Sequence, residues 1–277
     1  MEQVSHGYSE QPLADTLRSD LNANERVADG YMPPFAPDRR QSEGKIAERD
    51  AIKNSRSDDK MTIERQNTFE GKFMRGFIFT LVHLFFRPKV YYINKAAQDK
   101  VLKRPCIIIA NHTHIADGPL VGAVLRGKIN YLAAGDMYNR RALTRLLYDC
   151  GCIPIARMNV DTQWIKESRN AIKKGRSICI FPEGGKFFED YEVHKFRSGF
   201  VMIAMGSDTE ILPVYIEGLY YFIFGPRQRV MIGEPMRLSP VNGRNIAEYV
   251  DAETKRFHDY EEYLKVELYK RTKKKSK

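Results

Sequence analysis

No uninterrupted apolar run in this chain is long enough to span a bilayer, so no transmembrane helix is expected. The opening residues are polar and carry no apolar h-region, so no secretory signal peptide is expected either. Cysteines are few: Cys106, Cys150, Cys152 and Cys179. Cys106 and Cys179 lie in apolar runs and read as small core residues. Cys150 and Cys152 form a single CxC without a second pair, which argues against a disulfide framework or a structural zinc site. A reducing cytosol fits that usage. The chain also has no aromatic-rich reading surface beside its basic runs, so nucleic acid is not the expected partner.

What is present is a basic chain with a real core. The 277 residues carry a net charge of +10 and are 43% hydrophobic, enough for one large domain with appendages. The charge implies an anionic partner, and a membrane surface or a phosphorylated substrate fits best. Residues 1–60 are polar, with Pro33, Pro34 and Pro37, and read as a flexible leader with a short helix around Leu13–Ala28. Residues 61–88 change character. Phe69, Phe73, Phe77, Leu81 and Phe85 recur every four residues, flanked by Lys72, Arg75, Arg87 and Lys89. That is a basic amphipathic helix ending at Pro88, suited either to a membrane interface or to packing on the domain's own core. Residues 89–242 hold the main domain, and 243–277 a charged, solvated helix with a basic tail able to meet anionic lipid.

The domain is organised around Ile107-Ile108-Ile109-Ala110-Asn111-His112-Thr113-His114-Ile115-Ala116-Asp117. A β-branched apolar run breaks into polar residues, as a buried strand does at a sheet edge. A turn there can fold the Asp117 carboxylate back onto the His112 ring, fixing its tautomer and leaving the other nitrogen as a general base. Two plainer readings stand beside this one. Asp117 suits the N-cap of a helix running through Gly118-Pro119-Leu120, and Asn111 and His112 suit an ordinary turn. His112 and His114 also form an HxH, but a hydrolytic metal site needs further ligands. The remaining histidines, His6, His83, His194 and His258, follow no convincing strand.

Three later blocks repeat the pattern of an apolar run ending in polar residues. Gly151–Ala156 ends in Arg157, whose guanidinium can grip a phosphate or carboxylate by a bidentate fork. Ser177–Phe181 runs into Pro182-Glu183-Gly184-Gly185-Lys186, with a carboxylate, a cation and two glycines that let a ligand approach the backbone. Ile211–Ile216 contains Leu212-Pro213-Val214. Between the last two, Lys195–Ala204 reads as a helix whose basic start opposes its dipole and so serves an anion or a nearby acid. A helix over Asp161–Lys174 is expected, with Asp161 as its N-cap and Gly175 as its stop.

The ordered blocks Asn111-His112-x4-Asp117, Gly151…Arg157, Phe181-Pro182-Glu183-Gly184 and Leu212-Pro213-Val214 resemble the glycerolipid acyltransferases of the PlsC type. These are the 1-acylglycerol-3-phosphate and lysophospholipid acyltransferases, and the likeness runs from about Arg87 to Pro240. It implies an α/β fold with a central, mostly β core flanked by helices. It implies transfer of a fatty acyl chain from acyl-CoA or acyl carrier protein to a lysophospholipid hydroxyl, at the cytoplasmic face of a membrane, by a peripheral or monotopic enzyme. No metal or bound cofactor is implied; the thioester is a co-substrate. Carried over, His112 is the general base and Asp117 its orienting partner. Arg157 binds the acceptor's phosphate, Glu183, Gly184 and Lys186 belong to the acceptor pocket, and Pro213 shapes the acyl-donor side. One block departs from the pattern: Glu-Gly-Thr-Arg is Glu183-Gly184-Gly185-Lys186 here, losing a hydroxyl and the planar fork. An acceptor with a head group other than lysophosphatidate is therefore credible.

Overall fold

The structure is a computed structural model that describes residues 39–57, 63–156, 162–185, 192–205, 207–218, 220 and 226–273. Gly44–Lys277 form one compact unit. The predicted helix at Leu13–Ala28 and the last four residues of the basic tail lie outside the described residues.

Seven strands form one sheet in the order β1-β7-β6-β2-β5-β3-β4. They are β1 Lys89–Tyr92, β2 Ile107–Ala110, β3 Ile129–Ala134, β4 Cys152–Ile155, β5 Ser177–Ile180, β6 Ile211–Ile216 and β7 Arg229–Ile232. All neighbours pair in parallel except β6 and β7. This is the α/β architecture the sequence implies. A parallel sheet is covered on both faces, so its strands read as continuous apolar runs. In β2, Ile107 and Ile109 face one layer with Phe200 and Phe257, while Ile108 and Ala110 face the other with Val82 and Leu120. Each of the four β2 residues is fully buried.

The helices are α1 Arg39–Ser57, α2 Phe69–Phe86, α3 Lys95–Lys100, α4 Asp117–Leu125, α5 Arg141–Asp149, α6 Gln163–Lys173, α7 Gly199–Met205 and α8 Ile246–Lys273. Two depart from expectation. Part of the predicted leader is the helix α1, and its buried Ile52 packs against Gly135. The charged helix expected at the C-terminus is not simply solvated. Tyr249, Phe257, Leu264 and Leu268 of α8 are buried under the sheet. Glu253 and Glu261 fall in the same stripe and hide its period in the sequence.

Helix α2 packs one face on the domain and leaves the start of its aromatic stripe open. Thr68 caps it by accepting from the Gly71 amide at 3.2 Å, and Arg87, at φ 45°, turns the chain out before Pro88. Val82 is buried, and Phe79 meets α4 where Gly122 leaves room. The opposite face keeps Phe69, Phe73 and Phe77 exposed at 83%, 64% and 53%. Large apolar side chains repeated along one open face mark a surface that meets something apolar.

Candidate active site

Strands β2 and β5 are parallel neighbours, so the loops that follow them leave at the same sheet edge. The β2 loop is fastened first by Asn111. Its amide nitrogen donates to the Ile216 carbonyl at 2.8 Å, and its oxygen accepts from the Ile216 amide at 2.7 Å. That double bond fixes where His112 begins.

Asp117 is fully buried at the first turn of α4. It does not cap its own helix; the residue before the helix is Ala116. The Asp117 carboxylate turns back into the loop instead. Its Oδ2 lies 2.8 Å from His112 Nδ1 and accepts the Thr113 and His114 amides, each at 2.7 Å. Its Oδ1 accepts from the Tyr220 hydroxyl. A buried carboxylate beside Nδ1 assigns the proton to that nitrogen, leaving Nε2 with its lone pair. The His112 ring stacks on Phe181 at 4.1 Å and 17°.

The β5 loop supplies the other side. Glu183 is buried, and its two oxygens accept the His112 amide at 3.0 Å and the His194 amide at 3.1 Å. Burial pushes its carboxyl up, although those two amides oppose the shift. Gly184 stands at φ +72°, and a Cβ there would lie 2.6 Å from Arg197 Nε. The Arg197 guanidinium thus occupies the space a side chain at 184 would take. The Arg197 amide donates to Pro182 at 2.8 Å, which holds this cation beside the loop. Helix α7 starts only at Gly199, so the basic residues expected at its start precede it in a segment without regular secondary structure.

These loops open onto a cavity of about 560 Å³. His112, Phe181, Gly184 and Arg197 line it, and its walls continue apolar through Phe79, Tyr131, Leu132, Leu146, Ile155 and Trp164. A cavity with so few polar groups takes a long apolar ligand and fixes it at one polar end. Cys150 also lines it, but burial pushes that thiol up to about 11, so it offers little thiolate at neutral pH. His114 turns from the HxH reading: its Nδ1 accepts the Ala116 amide at 3.1 Å and its ring stacks on Tyr220. Among the described residues no cluster of His, Cys, Asp and Glu is arranged to hold a metal ion.

The Acyltransferase family model matches residues 87–217, the stretch that holds both loops. A 1-acyl-sn-glycerol-3-phosphate acyltransferase of Bacillus subtilis (strain 168) is 25% identical over 135 residues, covering 47% of this chain and 66% of that protein. An N-acylphosphatidylethanolamine synthase of Arabidopsis thaliana is 28% identical over 126 residues, covering 41% of this chain and 44% of that protein. The crystal structure of the 1-acyl-sn-glycerophosphate acyltransferase PlsC of Thermotoga maritima has the same fold. It matches with a TM-score of 0.50 at 18% identity, over 82% of this chain and 96% of that one. Residues 87–217 are thus similar to the acyltransferase family. The matched stretch spans only part of the two curated relatives.

Of the positions carried over from this family, the structure brings His112, Asp117, Glu183 and Gly184 together. Only His112 and Gly184 among these line the cavity. Glu183 is spent on two backbone amides, where a ligand contact was expected. Pro213 is buried inside β6, opposite Ile109, and is not among the lining residues, so it does not border the cavity from the acyl-donor side. Arg157, Lys186 and the N-cap candidate Asp161 lie outside the described residues. Arg197 and Tyr220 were not singled out from sequence. Arg197 sat within a segment read only as basic, and Tyr220 within an aromatic run with no period.

Proposed function

We propose that the protein transfers a fatty acyl group from an acyl thioester to the free hydroxyl of a lysophospholipid, with 1-acylglycerol-3-phosphate the first acceptor to try. The observation that carries this reading is the His112–Asp117 pair at 2.8 Å, bordering an apolar cavity of about 560 Å³. His112 Nε2 takes the proton of the acceptor hydroxyl as its oxygen attacks the thioester carbonyl. Asp117 stabilises the imidazolium so formed. The tetrahedral intermediate collapses, the C–S bond breaks, and the imidazolium returns its proton to the leaving sulfur. An activated thioester needs no bound cofactor; acyl-CoA or acyl carrier protein arrives as co-substrate. The cavity takes the acyl chain. Arg197, which lines the cavity as Arg75 also does, is the cation beside the Glu183 loop and a candidate to meet an acceptor phosphate, with Arg157 and Lys186 as further candidates.

The reading places the protein on the cytoplasmic face of a membrane. Its support is the open aromatic face of α2 and the basic charge balance, which suit an anionic lipid surface. No described helix is long and apolar enough to cross a bilayer.

A second reading concerns the acceptor. Gly185-Lys186 replaces the usual Thr-Arg, and one relative is an N-acylphosphatidylethanolamine synthase. An amine head group is therefore offered beside the hydroxyls. The test is thiol release from acyl-CoA and acyl carrier protein in mixed micelles, with lysophosphatidate, other lysophospholipids and phosphatidylethanolamine as acceptors. Acceptor-dependent release is expected, falling about 10²- to 10⁴-fold in His112→Ala. Silence with every pair, in folded protein that binds vesicles, would leave a lipid-binding scaffold without catalysis.

A further inference from the structure

The segment leaving β6 folds onto the His112 loop. Gly218 stands at φ +81°, and a Cβ there would lie 2.7 Å from Thr113 Oγ1, so glycine alone lets the two chains approach this closely. Two residues on, the partly buried Tyr220 lays its ring on His114 at 4.5 Å and 27°. Phe86 meets the same ring edge-on at 5.0 Å. These contacts aim the phenol at Asp117 Oδ1, and its hydroxyl is the one hydrogen-bond donor to that oxygen among the described residues. Oδ2 carries the other three donors, including His112 Nδ1.

We infer that Tyr220 is a positioning residue for the His112–Asp117 pair, its hydroxyl holding the carboxylate plane and drawing charge from it. The inference rests on His112 acting as the general base. A carboxylate that accepts from an extra donor is a weaker partner for an imidazolium. Burial and the Asp117 charge push the phenol well above its usual range, so it remains a neutral donor at working pH. The other titratable and charged groups around the pair are Glu183, His114, the buried Cys179 thiol, Arg197 on the shared cavity and, beside and behind Glu183, His194 and Glu261. Tyr220→Phe changes none of these side chains and keeps the ring that stacks on His114, so its difference from the wild type reports the hydroxyl.

The experiment compares Tyr220→Phe with 3-fluorotyrosine placed at 220. The first keeps the ring and removes the donor; the second keeps the shape and makes a stronger donor. Two readouts are taken: the NMR titration of the His112 ring nitrogens, and the acid limb of kcat/KM against pH for thiol release. Tyr220→Phe is expected to raise the His112 pKa and the acid limb by about one unit, with up to about tenfold lower kcat/KM below the limb. The fluorinated residue is expected to move both the other way. Unmoved titration in both proteins, or a shift in the same direction in both, would overturn the inference. If Tyr220→Phe does not fold, the sign of the fluorotyrosine shift decides. If the wild type releases no thiol, the acyltransferase reading fails separately, and the NMR titration still decides the role of Tyr220.

Discussion

Two buried carboxylates stand at the ends of neighbouring parallel strands, and they do different things. Asp117, after β2, gives one oxygen to the His112 ring and two loop amides, and the other to Tyr220. Glu183, after β5, gives its oxygens to two backbone amides and, among the described residues, touches no titratable side chain by hydrogen bond. One carboxylate meets the ring that would move a proton. The other fixes the backbone that carries this ring and ties it to the segment leading to Arg197. A carboxylate's role is set by which donors reach it, and the two differ in donors far more than in burial.

The sharpest way to break that contrast is Asp117→Asn. The asparagine fills the same space but offers a neutral partner to Nδ1 and removes the charge that stabilises an imidazolium. Thiol release is expected to fall about 10³- to 10⁴-fold while near-ultraviolet circular dichroism stays native. A loss under tenfold would mean that Asp117, like Glu183, acts only through the backbone.

Glu183→Gln should show the reverse balance. Glutamine has one oxygen where two amides must be met, so one buried amide loses its acceptor. The expected cost is about 1–3 kcal/mol in urea unfolding. Catalysis should fall less than in Asp117→Asn, because the His112 ring keeps its carboxylate. An activity loss equal to that of Asp117→Asn, with unchanged stability, would make Glu183 a participant in the chemistry.

Much of this was legible in the chain. Ile107–Ala110 and Ser177–Ile180 read as buried strands because both sheet faces are covered, and the turn from His112 to Asp117 followed from their spacing. The role of Glu183 was not legible, since it depends on the His194 amide, eleven residues downstream. Tyr220 was hidden for the same reason: its partner is 103 residues away. Pro213 lies inside β6 opposite Ile109 and away from the cavity lining, which its own block could not show. In α8 the acids at 253 and 261 masked a packed face, since burying a carboxyl runs against the usual pattern.

Glu261 extends the comparison to a carboxyl without well-formed hydrogen bonds. It is fully buried in α8, close to the Asn111 backbone and to Glu183, and neither of its oxygens has a well-formed hydrogen bond among the described residues. Burial first, and the Glu183 charge second, push it well above the usual carboxylate range. The native state therefore holds a proton that the unfolded chain releases above its ordinary carboxylate pKa. As pH rises through that window, the unfolded state binds fewer protons than the native one, and stability falls by about 1.4 kcal/mol per pH unit. Below the unfolded pKa this loss is absent. Glu261→Gln keeps the volume and needs no proton. Its melting temperature is expected to exceed that of the wild type at pH 8, with the gap narrowing toward pH 5, and thiol release at pH 7 is expected to change less than in either of the other two variants. A constant gap across that range would mean that Glu261 is ionised in the folded protein.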